Sequence, residues 1–188
     1  MSDVSLTIAT SAQMRALGRS LATLLRAGDL VILSGGLGAG KTTLTQGIGD
    51  GLGVRGPITS PTFVIARVHP PVLSPTAAAT DSPRPPLVHA DAYRLGSALE
   101  LDDLDLDTDT AASVTVVEWG EGLAEGLSAD RLQVTITPGA PDPGAIGGDG
   151  AAEPDDPVGD APRTVRISAV GERWEGIKLP LAGPADRL

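Results

Sequence analysis

The stretch Gly35-Gly36-Leu37-Gly38-Ala39-Gly40-Lys41-Thr42 fits the pattern G-x-x-x-x-G-K-[ST]. It constrains the fold more than any other segment, because such a loop needs a buried strand in front of it and a helix behind it. Glycines let the backbone curl until successive N–H groups point inward at phosphate oxygens. A helix that starts at once behind the loop adds its partial positive charge. Both neighbours are legible. Leu30-Val31-Ile32-Leu33 is a short apolar run suited to a buried strand, and Thr43-Leu44-Thr45-Gln46-Gly47-Ile48 continues as a helix. In this setting Lys41 can reach β- and γ-phosphates as a point charge. The Thr42 hydroxyl offers Mg²⁺ a hard oxygen.

The rest of the chain supplies strands and helices in alternation. Ser5 to Ala9 alternates as an opening strand, and Thr10 with Gln13 fits a capping box. Met14, Leu17, Leu21, Leu24 and Leu25 then recur at helical spacing, with Gly28 as the expected stop. Strands are expected at Val64 to His69, Leu87 to Asp91 and Val114 to Val117, the last ending at Glu118-Trp119. Ala98 to Leu106 reads as a short acidic helix. Leu132 to Ile136 and Val165 to Ala169 read as an antiparallel pair. Segments 70–86 and 138–162, rich in Pro, Gly, Ala or Asp, are expected to be flexible insertions. The expectation is one domain over 1–178 and a frayed tail over 179–188. Its fold class is α/β, a three-layer sandwich of the P-loop NTPase kind around a mixed, partly parallel sheet.

Ligands of such sheets bind beyond the carboxyl ends of the strands. The phosphate loop, Asp91 and Glu118 all fall at such ends, so three distant segments converge. Glu118 can hold Mg²⁺ or orient a water, as a Walker-B acid does; the plain alternative is a strand-end carboxylate in solvent. Asp91 can be a second carboxylate near the metal or a water-positioning group, or simply start a turn. His89 can pair with a carboxylate, but quiet packing is the preferred reading. Arg94 can neutralise phosphate charge. Thr59-Ser60-Pro61-Thr62 has the polarity and stiffness of a switch. Trp119 can wall the pocket, anchor a partner or pack in the core.

Composition narrows the function class. Among 188 residues 41% are hydrophobic and only 2% aromatic, so Leu, Val, Ile and Ala must fill the core. No cysteine is present, which removes thiolate chemistry and disulfides. The net charge of −10, with 14 basic residues against 24 acidic, argues against a direct grip on nucleic acid. The first thirty residues lack a basic start followed by an apolar core. No apolar run approaches the roughly 18 residues of a membrane span. A cytoplasmic protein without membrane contact is expected.

Read together and in order, these segments resemble the TsaE family. The likeness rests on Gly36-Leu37-Gly38-Ala39-Gly40-Lys41-Thr42-Thr43, Ser60-Pro61-Thr62-Phe63, His89-Ala90-Asp91-Ala92-Tyr93-Arg94-Leu95 and Val117-Glu118-Trp119, between about Leu6 and Ile136. It implies a bacterial ATPase needed to make N6-threonylcarbamoyladenosine in tRNAs that read ANN codons. It implies that Gly36 to Thr43 bind ATP, that Lys41 and Thr42 hold phosphates and Mg²⁺, and that Glu118 completes the metal site. Asp91 matches an acid needed for function, and Thr62 sits in the family's switch. The partners implied are TsaD and TsaB, with tRNA met only through that complex. Two departures stand out: Gly36 replaces the usual acid before Leu-Gly-Ala-Gly, and the two insertions are longer than typical. A nucleotide-gated binding module and a small-molecule kinase are the alternatives. The kinase lacks an arginine-rich lid, since segment 70–86 holds only Arg84. A GTPase is less favoured, because the chain contains no Asn for the guanine-selective motif.

Overall fold

The strands that carry the site are apolar on both faces, and this dictates where they lie. In the computed structural model, which describes residues 2–61, 66–72, 84–95, 111–139 and 162–180, strands β2 (Leu30–Gly35), β4 (Leu87–Asp91) and β5 (Val114–Glu118) are buried almost throughout. Strands covered on both sides belong in the parallel centre of an α/β sheet. They are joined by β1 (Ser2–Ile8), β3 (Ala66–His69), β6 (Arg131–Pro138) and β7 (Arg163–Val170). The sheet order is β1-β7-β6-β2-β5-β4-β3. Pairs β6–β2, β2–β5 and β5–β4 are parallel, whereas β1–β7, β7–β6 and β4–β3 are antiparallel. The sheet is therefore mixed, and the α/β class expected from the sequence is what the chain adopts.

Helices α1 (Ser11–Ala22) and α2 (Lys41–Leu52) cover one face. Met14, Leu17 and Leu21 of α1 and Leu44 and Ile48 of α2 bury against Val31, Leu33, Val114, Val116, Leu132 and Val134. Fully burying each such leucine or isoleucine contributes about 1.5–3 kcal/mol. The two helices approach closely because glycines face each other across them. A Cβ on Gly47 would collide with the Arg15 backbone, and one on Gly18 with the Leu44 carbonyl. On the opposite face, Leu30, Ile32, Val88, Ala90 and Val117 pack under Ala124, with Leu123 and Leu127 alongside. Among the described residues that layer is a loop with a 3-10 turn at Glu125–Leu127.

Several boundaries depart from expectation. Helix α1 ends at Ala22, six residues before Gly28, where the Thr23 and Leu24 N–H groups turn to the carbonyls of Ser20 and Leu21, three residues back. Gly28 instead takes a φ of 89° in the turn that feeds β2. Leu179, expected in a frayed tail, is buried in the helix-side core. The ends of the 138–162 segment meet, with Gly139 N–H on the Pro162 carbonyl at 2.6 Å. The acidic helix at 98–106, most of both insertions, the first two residues of the Val64 to His69 strand and residues 181–188 lie outside the described residues. No helix among the described residues is long and apolar enough to cross a membrane.

Candidate functional site

Side chains alternate along a strand, so Leu87, His89 and Asp91 share one face of β4. Val114, Val116 and Glu118 share the same face of β5, toward the helices. The parallel register sets Asp91 beside Glu118, and Leu33 beside Glu118 on the other side. Three strand ends thus meet at the start of α2.

The loop between β2 and α2 needs its glycines. Gly35, Gly38 and Gly40 have φ of 150°, 71° and 102°, where L side chains are strained. A Cβ on Gly35 would also lie 2.5 Å from the Ile136 carbonyl. Gly36 faces open space and Leu37 is exposed at the tip, while Ala39 is buried. Ala39 N–H bonds the Gly36 carbonyl, and Leu44 N–H bonds Gly40 as α2 begins. Thr43 stands in that first turn, after Lys41 and Thr42.

Lys41 is buried, and its Nζ donates to the carbonyls of Gly35 and Gly36, each at 2.9 Å. The same ammonium lies 3.7 Å from the centre of the Trp119 ring, a cation–π contact. Burial pushes the Lys41 amine below its usual range, against the opposing pull of Glu118 and Asp91. Trp119 has a φ of 60°, the one positive value at a non-glycine among the described residues. Its N–H bonds the Leu33 carbonyl, and its ring packs against exposed Tyr93 at 5.0 Å between centres. Trp119 is only half-buried and so does not pack in the core; its ring lies between Lys41 and Tyr93.

Glu118 is buried, not a solvent-facing strand end. Its carboxylate accepts from Thr42 Oγ1 at 2.9 and 3.1 Å and contacts His89 Nε2 at 2.8 Å. Asp91, also buried, accepts from Ser60 Oγ at 2.8 Å and from the Tyr93 N–H at 2.9 Å. The Ser60 bond ties the loop leading into Pro61 to β4. Thr62 lies outside the described residues. Arg94 is exposed in the turn after Ala92.

The donor set fits Mg²⁺. Thr42 and Glu118 supply hard oxygens only, and no group of three His, Cys, Asp or Glu side chains among the described residues is placed to hold a metal ion by itself. Such a sparse all-oxygen set does not make a zinc or calcium cage. It suits an ion that keeps waters and takes its other ligands from phosphate.

The loop, the Thr42–Glu118 pair and the Ser60–Asp91 clasp come from the segments whose order set the sequence apart. The family model "Threonylcarbamoyl adenosine biosynthesis protein TsaE" matches residues 8–142. The chain belongs to the TsaE family. A TsaE protein of Streptomyces coelicolor is 54% identical over 162 residues, which cover 86% of this chain and 93% of that one. One of Bacillus subtilis is 32% identical over 164 residues, covering 87% and 84%. The crystal structure of B. subtilis YdiB matches with a TM-score of 0.61 at 27% identity, over 93% of this chain and 90% of that one.

Two features of this TsaE-family site go against or beyond the preferred sequence reading. His89 does not pack quietly; it pairs with Glu118 across 29 positions. Arg163 is buried at the start of β7, its Cδ 4.0 Å from where a Gly40 Cβ would stand. Only the sheet register brings either residue to the loop, and no local pattern announces it.

Proposed function

We propose that this chain is the ATP-binding and ATP-hydrolysing component of the tRNA N6-threonylcarbamoyladenosine system, acting on a complex of TsaD and TsaB. The observation that carries the nucleotide part is the Thr42–Glu118 bond at the mouth of the glycine loop. It sets a hydroxyl and a carboxylate beside a loop whose backbone can cradle phosphates. Lys41 holds β- and γ-phosphates by exchanging the Gly35 and Gly36 carbonyls for phosphate oxygens. Thr42 and Glu118 would hold Mg²⁺, which would supply charge neutralisation at the phosphates of the breaking bond. Asp91 orients the attacking water, and the Ser60 bond couples it to the 54–61 loop. Trp119 and Tyr93 wall the site and limit water access.

Family membership supports the tRNA-modification role. The net charge of −10 supports action on a partner complex, with tRNA reached only through it. The test is steady-state ATP hydrolysis with and without purified TsaD and TsaB, with Lys41→Ala as the blank. Slow turnover alone and strong stimulation by the pair are expected. Binding to the pair without stimulation would make the chain a nucleotide-gated module. Phosphate transferred to a metabolite would make it a kinase.

A further inference from the structure

We infer that His89 is a positioning residue for Glu118, fixing the direction of the carboxylate toward Thr42 and the metal; the inference rests on the Mg²⁺ site proposed above. His89 is fully buried in β4, a strand otherwise apolar up to Asp91. Its Nε2 stands 2.8 Å from Glu118 Oε1, while Nδ1 is buried without a hydrogen-bond partner. The Nε2–H tautomer is therefore the one that leaves no buried donor unpaired, and it donates to the carboxylate. An apolar side chain of similar volume would fill the same space without an unsatisfied nitrogen. What the imidazole adds is the bond to Glu118.

His89 and Thr42 are the two side chains that hold this carboxylate. His89 holds Oε1 on one side while Thr42 takes both oxygens on the other, so the carboxylate keeps one orientation. Partners of metal-ligating carboxylates act in this way, and removing them typically weakens metal binding about 10–100-fold.

The test is calorimetric titration of ADP into the intact protein, once in EDTA and once in Mg²⁺. No hydrolysis enters this readout, so an absence of ATPase activity bears on the proposed function and not on His89. His89→Leu is expected to keep its ADP affinity in EDTA and to lose about tenfold of the gain that Mg²⁺ confers. His89→Gln, whose amide N–H can reach Glu118, is expected to restore most of that gain. If His89→Leu does not fold, His89→Asn takes its place; its amide falls short of Glu118, and the same loss is expected. A variant lacking the donor but retaining the full Mg²⁺ gain overturns the inference. So does an equal loss in EDTA and Mg²⁺ that Gln does not rescue, since packing alone would cause it. A wild-type protein indifferent to Mg²⁺ overturns the metal site itself.

Discussion

Thr42 Oγ1 lies 2.9 and 3.1 Å from the two carboxylate oxygens of Glu118, across 76 positions of sequence. Adjacent ligands of an octahedral Mg²⁺ with metal–oxygen bonds of about 2.0–2.1 Å stand about 2.9 Å apart. The pair thus holds the spacing of two neighbouring ligands while hydrogen-bonded to each other. Glu118 is buried, whereas Thr42 is only partly covered at the start of α2. The first turn of α2 and the end of β5 are locked together by the groups proposed to share the ion.

Glu118→Ala separates turnover from binding. With the carboxylate gone, ATP hydrolysis in the presence of TsaD and TsaB is expected to fall on the order of 100-fold. Nucleotide affinity in EDTA should change little, because Lys41 and the loop amides remain. His89 Nε2 loses its partner, which costs about 1–3 kcal/mol of stability. Steady-state kinetics and a urea titration read the two effects. Unchanged turnover would remove Glu118 from the reaction.

Trp119 should report nucleotide binding directly. The chain has two tryptophans, and Trp174 is buried beside Arg173, away from the loop. In a Trp174→Phe background all indole emission comes from Trp119, whose ring carries the Lys41 ammonium at 3.7 Å. Phosphate drawing Lys41 away is expected to shift that emission, and Lys41→Met should abolish the shift. Nucleotide that binds by calorimetry yet leaves the spectrum unchanged would mean that Lys41 stays on its carbonyls.

Much of this architecture is legible before folding, where a local signal exists. The apolar run at Leu30 to Leu33 and the glycines after it announce β2 and the loop. Thr10 and Gln13 announce the start of α1, although Gln13 Oε1 takes the N–H of Ala9, one residue before the cap. The alternation in Leu132 to Ile136 and Val165 to Ala169 gives the antiparallel β6–β7 pair. Glu118 and Asp91 are legible because a charge ends each apolar strand. His89–Glu118 is not, because it depends on the β4–β5 register. Nor is the end of α1, where backbone N–H groups turn to carbonyls three residues back well before Gly28. Asp29–Arg173 spans 144 positions and has no sequence signal at all.

That last pair predicts a large stability effect remote from the site. Arg173 donates to both oxygens of Asp29, at 3.1 and 2.9 Å, and to the Leu24 carbonyl, with both charged groups buried. Asp29→Ala leaves a buried guanidinium unpaired and is expected to cost about 3–5 kcal/mol. Asp29→Leu combined with Arg173→Met removes both charges and should recover most of that loss. Asp29 precedes β2 at the end opposite Gly35, so ADP affinity should hold in both proteins under folding conditions. Chemical denaturation measures the difference, and a double variant no more stable than Asp29→Ala would contradict it.

His69 predicts how stability follows pH. Burial pushes its imidazole below the ordinary value of about 6.5, outweighing the upward pull of the Arg55 carbonyl, while His89 and Arg67 add to the lowering. The geometry gives the reason. Nδ1 faces the Arg55 carbonyl at 3.4 Å, and Nε2 is buried without a partner, so a second proton would have no acceptor. Between the lowered folded value and about 6.5, the unfolded chain binds a proton that the folded chain does not. Stability conferred by the neutral ring is therefore complete above that window and lost as pH falls through it, by at most about 1.4 kcal/mol per pH unit. His69→Asn, whose amide stands near the Nδ1 position, keeps a donor for Arg55 but cannot titrate. Thermal melts of the two proteins on acidification below about pH 6.5 should diverge, with the wild type losing Tm faster. Parallel curves would show that His69 does not set this slope.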